Sequence, residues 1–223
     1  MAGALQLRDV YLVAYNATQA LGWAWCLWTV AASYAVNGGN HVNVFNAAGG
    51  TARVFQLLSG LEVIHTLLGI VRSSPAMALL QWAGRSNILF LVLSHIPDVQ
   101  ASPASSLLLA VWGCIRVVRY PWYALSSLDV CPHALTWLRY TAFIPLYPIG
   151  VACEMWLLWS ALPVLAARDM YSWHLPNRLN FAFSYHTFSK VGLVVYLPVW
   201  WQLYASLLKQ RAKKLGTSHG KTD

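Results

Sequence analysis

The feature that most constrains this chain is how rarely a charge interrupts it. Apolar run follows apolar run, and only 10% of the residues are charged, against about 25% in an ordinary soluble domain. A membrane-spanning helix needs roughly 20 mostly apolar residues, so 223 residues leave room for about six spans and little else. The 12 Trp and 11 Tyr suit aromatic belts at two membrane interfaces. The sequence therefore reads as an all-α, polytopic membrane protein with about six transmembrane helices. Residues 1–223 form a single integral-membrane domain with no internal repeat, and a basic tail covers about 209–223. The apolar windows place helices at about Tyr11–Val36, Val54–Val71, Met77–Ile96, Ser105–Leu125, Ala134–Ala166 and Phe181–Leu207. Gln81 and Arg85 interrupt the start of the third, which could instead begin near Ser86.

The few charges orient these helices. Lys209, Arg211, Lys213, Lys214 and Lys221 fall in the tail "KQRAKKLGTSHGKTD", and basic loops stay cytosolic. Six spans then put the N-terminus on the same side. The loops "NGGNHVNVFNAAGGTA" and "HIPDVQASPAS" hold no Lys or Arg and should face the lumen. Arg72 and Arg85 flank one cytosolic loop; Arg116, Arg119 and Arg139 flank the other. Arg168 and Arg178 depart mildly from the pattern. The net charge of +8 thus reads as orientation and contact with lipid head groups or phosphate-bearing ligands, not nucleic acid. Cys26, Cys114, Cys131 and Cys153 are scattered without a CxxC pair and read as small buried hydrophobes. The N-terminal apolar stretch, studded with Tyr11, Tyr15, Asn16 and Gln19, lacks a signal-peptide pattern and is expected to remain as the first span.

An ionisable side chain within a span is costly and marks a functional site by default. The fifth helix carries "IPLYPIGVACEMW" with Tyr147 and Glu154. Seven residues at about 100° each come within about 20° of two full turns. The two side chains therefore share a face, with their Cα atoms about 10.5 Å apart along the axis. Gly150 lies between them on that face and leaves a notch flanked by a phenol and a carboxyl, the parts of a proton-transfer site. Glu154 leans into the notch and Tyr147 away from it. Pro145 and Pro148 remove backbone donors and can bend the helix. The plainer reading is a kinked, packed helix whose glutamate bonds a neighbour.

The second helix carries "LEVIHTLLGIVRS", which sets Glu62, His65 and Gly69 on one face at i, i+3 and i+7. E-x-x-H is half of a di-iron motif, but a chain whose only glutamates are Glu62 and Glu154 cannot complete one. Glu62 and His65 are expected to bond each other or a neighbouring helix, beside the site or as structure alone. Arg85, Arg116, Arg119 and Arg139 are candidates for an anionic, phosphate-bearing head group, with topology and lipid contact as the bland alternative. Lys190 is expected to snorkel to the lumenal interface. A cysteine phosphatase is excluded, because the sixth residue after Cys114 is Tyr120 and after Cys131 is Trp137, not arginine.

Several stretches together resemble the 3-hydroxyacyl-CoA dehydratases of very-long-chain fatty acid elongation, also called protein tyrosine phosphatase-like proteins, and among them the plant PASTICCINO type. They are "YLVAYNATQALGW", "LEVIHTLLGIVRSS", "QWAGR", "IRVVRYPWYAL", "LRYTAFIPLYPIGVACE", "LNFAFSYHTF" and "QLYASLLKQRAKKL". Y-P-x-G-V-x-x-E is the most specific element, and the family's catalytic residues fall on Tyr147 and Glu154. Gly84 and Lys190 depart from the family pattern. The resemblance implies loss of water from a (3R)-3-hydroxyacyl-CoA to give a trans-2-enoyl-CoA, without metal or redox cofactor. It leaves open which of the two residues takes the C2 proton. It also implies an endoplasmic reticulum membrane location, with the acyl chain between helices and CoA phosphates near the cytosolic arginines. Its expected partners are the other elongation enzymes, a condensing enzyme and the reductases. A non-catalytic scaffold of that complex is the alternative. A proton-coupled transporter would favour inverted repeats, and the sequence has none.

Overall fold

A computed structural model describes residues 6–216. Eight helices run in order among them: α1 (Leu7–Val36), α2 (Val44–Leu58), α3 (Leu61–Leu67), α4 (Pro75–Ser86), α5 (Pro97–Gln100), α6 (Pro103–Ser127), α7 (His133–Ala167) and α8 (Tyr185–Gly216). A π-helical stretch, Asn87–Leu93, continues α4 without a break. No strand forms among the described residues. One antiparallel bridge, Trp173 to Phe183, gathers the segment between α7 and α8. Among the described residues, three helical stretches are long and apolar enough to cross a membrane: Pro75–Leu93, His133–Ala167 and Tyr185–Leu215.

The core forms where α6 lies between α1 and α7, with α2 packed on α1. Residues Asn16, Gln19, Trp23, Cys26, Val30 and Ser33 bury one face of α1, at the spacing of three and four that a helix needs. The answering face of α6 buries Leu109, Trp112, Arg116 and Tyr120 at the same spacing. Small residues set the closeness of these helices. A Cβ on Gly22 would sit 2.0 Å from Phe55 Cζ of α2, and one on Gly113 would sit 2.5 Å from Leu27 Cγ of α1. Pro103 at the first turn and Ser102, whose hydroxyl accepts from Ala104 N at 3.3 Å, fix the start of α6.

Some boundaries differ from the sequence reading. The apolar window beginning at Val54 is the later part of a helix that starts at Val44, so half of the presumed first lumenal loop is helical. That helix breaks at Ser59–Gly60. The Ser59 hydroxyl turns back to Gln56 O at 2.7 Å and Gly60 N bonds Leu57 O at 2.9 Å. α3 ends at Leu67, and Gly69 has φ +69. Gly69 therefore lies beyond the helix, not on the Glu62–His65 face, because glycine ends helices in that conformation. The last helix begins at Tyr185, not Phe181, and continues to Gly216, so Lys209, Arg211, Lys213 and Lys214 ride on it. The tail residue Lys221 lies outside the described residues. Pro145, Pro148 and Pro163 are accommodated within an unbroken α7.

Candidate active site

Between α4 with its π-helical continuation, α7 and α8 lies a cavity of about 790 Å³. Its walls are mostly apolar, from residues such as Leu80, Ile88, Leu91, Val151, Leu158 and Leu203. The polar groups that enter it include Arg85, Tyr147, Glu154 and Tyr196. The π-helical turns supply Asn87, Ile88, Phe90 and Leu91 to one wall; such turns are frequent at functional sites.

Glu154 is 8% exposed, and both carboxylate oxygens are engaged. Trp112 Nε1 of α6 donates to Oε1 at 2.9 Å. The Tyr196 hydroxyl of α8 donates to Oε2. The carboxylate is thus fixed by one donor from each neighbouring helix, and burial is satisfied by hydrogen bonds rather than by a counter-charge. Tyr147 lines the same cavity, half-buried, and its hydroxyl has no hydrogen bond among the described residues. It does not bond Glu154; both side chains line the cavity from α7. Gly150 also faces the cavity. Its bare Cα lets α6 approach, since a Cβ there would meet Val111 Cγ1 at 3.3 Å. Gly84 lines the cavity too, and a Cβ there would meet nothing within 4 Å.

The other candidates assemble elsewhere. Glu62 accepts from Arg116 Nη1 at 3.3 Å, from the Tyr120 hydroxyl at 2.5 Å and from Arg119. Arg116 also donates to the Tyr120 hydroxyl and, at 3.3 Å, to Gln56 Oε1. His65 pairs with the Tyr11 hydroxyl at 2.8 Å and meets Tyr11 and Tyr15 edge-on. Glu62 and His65 thus bond neighbouring helices, not each other, and neither lines the cavity. Arg139 lies 3.7 Å from the Trp122 ring centroid and donates to the Tyr123 hydroxyl at 3.2 Å. Of the four arginines, only Arg85 lines the cavity.

Trp112 and Tyr196 escaped the sequence reading. Each is 42 positions from Glu154, far beyond any helical period. The available signals were weak: Trp112 falls in the buried stripe of α6, and Tyr196 is a lone phenol in the run "VGLVVYLPVWW". Pairing of Tyr196 with Glu154, and of the Tyr204 hydroxyl with Ile144 O at 3.2 Å, sets α7 and α8 antiparallel. That register brings the basic end of α8, Lys209–Lys214, beside the first turns of α7, where Arg139 lies.

Fold and site define an all-helical protein with membrane-length apolar helices and a phenol and a carboxyl facing a mostly apolar cavity. The chain belongs to the protein tyrosine phosphatase-like protein family, PTPLA, whose profile matches residues 56–217. It is 34% identical over 209 residues to Very-long-chain (3R)-3-hydroxyacyl-CoA dehydratase 1 of Ovis aries, covering 94% of this chain and 72% of that protein. It is 32% identical over 209 residues to Very-long-chain (3R)-3-hydroxyacyl-CoA dehydratase 2 of Homo sapiens, covering 94% of this chain and 82% of that one. The corresponding dehydratase hpo-8 of Caenorhabditis elegans is 35% identical over 209 residues, 93% of this chain and 95% of its own length. No solved structure matches the chain.

Proposed function

We propose that this chain is a hydro-lyase that removes water from very-long-chain (3R)-3-hydroxyacyl-CoA to give trans-2-enoyl-CoA, the dehydration step of fatty acid elongation. One observation carries the reading. Tyr147 and Glu154 face a single cavity whose walls are otherwise mostly apolar, as an acid–base pair acting on a lipid substrate requires. The relatives named above are dehydratases of that substrate.

The reaction breaks the C2–H bond. Its electrons form the C2=C3 double bond as the C3–O bond breaks, and the hydroxyl leaves with a proton as water. Nothing is oxidised or reduced, so two proton-handling groups suffice for the proton bookkeeping. Glu154, held by Trp112 and Tyr196, handles one proton; Tyr147, with its hydroxyl unclaimed among the described residues, handles the other. The acyl chain lies in the apolar cavity. The CoA phosphates lie toward the basic end of α8 and the start of α7.

In this reading α1, α2 with α3, α4 with its π-helical continuation, α6, α7 and α8 make six spans. Residues 1–223 are one dehydratase domain in the endoplasmic reticulum membrane, with both termini cytosolic. The condensing enzyme and reductases of elongation are its partners. The test is turnover of a long-chain 3-hydroxyacyl-CoA by membranes holding wild type, Tyr147→Phe or Glu154→Gln at equal abundance. Wild type should form the enoyl product and both variants should not. Normal turnover by both variants would overturn the assignment of the pair, and no turnover by wild type would leave only the scaffold role.

A further inference from the structure

Taking a proton from C2 places negative charge on the thioester oxygen, and neither member of the acid–base pair is thereby assigned to that oxygen. We propose that Arg85 is a catalytic residue that binds this oxygen and stabilises its charge as the C2–H bond breaks. The inference rests on the dehydratase reading and supplies the group that reading lacks.

Four observations carry it. Arg85 lines the cavity that Tyr147 and Glu154 face. Its guanidinium carbon is 5.7 Å from the ring centroid of Trp112, the same indole that fixes Glu154. It forms no hydrogen bond or ion pair with another described residue: the Glu154 oxygens are taken by Trp112 and Tyr196, and Glu62 is taken by Arg116, Arg119 and Tyr120. Finally, the other three arginines are engaged outside the cavity, two by Glu62 and one among Trp122 and Tyr123. A half-buried guanidinium without an acid partner is costly in an apolar setting. Its five donors fit an oxygen that gains charge, and a positioned donor of this kind is worth most where water is excluded.

A phosphate of CoA is the competing ligand for the same charge, and the experiment separates the two. The full-length enzyme is assayed in detergent with a long-chain 3-hydroxyacyl-CoA and with the matching pantetheine thioester, which has no nucleotide phosphates. Binding of an acyl-CoA thioether, which has no carbonyl oxygen, is measured beside it. Arg85→Gln should lower kcat by about 10²–10³-fold on both thioesters alike, while leaving affinity for the thioether unchanged. Arg85→Lys should recover part of the loss, and it carries the same comparison if the glutamine variant fails to accumulate. A loss confined to the CoA substrate would assign Arg85 to phosphate and overturn the proposal. So would an equal loss of thioether affinity, which marks a residue that merely shapes the cavity. Those results leave the dehydratase reading intact. Failure of wild type to turn over either thioester overturns both.

Discussion

The chain holds its two glutamates in different ways. Glu62 closes on α6 through two guanidinium groups and a phenol. Its charge is matched, its oxygens are claimed, and it lines no part of the cavity. Glu154 closes on α6 and α8 through an indole and a phenol. Those donors are neutral, so the carboxylate is positioned without being neutralised, and it faces open space. Breaking an ion pair to move a proton carries a large electrostatic penalty in a low-dielectric setting; Glu154 has no ion pair to break. The same residue type thus serves as a fastener at one site and is available for chemistry at the other.

The strongest way to break this comparison is to remove the proposed proton-handling groups themselves. Glu154→Gln and Tyr147→Phe should each lower turnover by about 10²–10⁴-fold, the usual weight of a positioned acid or base, with protein abundance unchanged on immunoblot. The donors come next. Tyr196→Phe or Trp112→Phe deletes one hydrogen bond to a charged group, worth about 1.5–3 kcal/mol, so kcat should fall by roughly 10- to 150-fold. KM should change little, because substrate contact is retained. A larger change in KM than in kcat would make these residues cavity walls rather than supports of the carboxylate. Glu62→Gln should invert the pattern: it leaves Arg116 and Arg119 short of a counter-charge and should lower stability by about 1–3 kcal/mol, read as a fall in the detergent melting temperature. The fraction that stays folded should keep its turnover.

The smallest effect concerns an exposed carboxylate. Asp169, between α7 and α8, accepts from His174 Nε2, and that bond holds its carboxyl below the usual carboxylate range. A depressed value adds order above the range of a free aspartate and loses it as pH falls through the lowered value. Proteolysis of the 168–184 segment should therefore accelerate only on acidification. Asp169→Asn should abolish that pH dependence and spare activity. A fall in activity with Asp169→Asn would extend the comparison to a third functional acid.

Much of this was legible in the sequence, for local reasons. Apolar runs and helical period gave α1, α6, α7 and α8, and the spacing of Tyr147, Gly150 and Glu154 placed them on one helix face, which the structure turns to a cavity. Local pattern could not show the break at Ser59–Gly60. The pair Ser59–Gly60 is tolerated inside many helices, and the interruption here is completed by a serine hydroxyl bonding back to Gln56 O. Nor could it separate the arginines. Arg85, Arg116, Arg119 and Arg139 look alike as bases near span ends, and only tertiary packing tells which of them Glu62 claims. Trp112 and Tyr196 depend on packing in the same way, since nothing within a few residues marks either as a partner of Glu154.

Because the Glu154 carboxylate is bonded from α6 and α8 together, no part of the chain that lacks either helix holds the finished site. A chain made from its N-terminus acquires Trp112 first, then the carboxylate, and Tyr196 only with the final helix. Assembly and activation would then be one event. If Glu154 is the proton-handling group proposed above, full turnover comes only when the last helix docks.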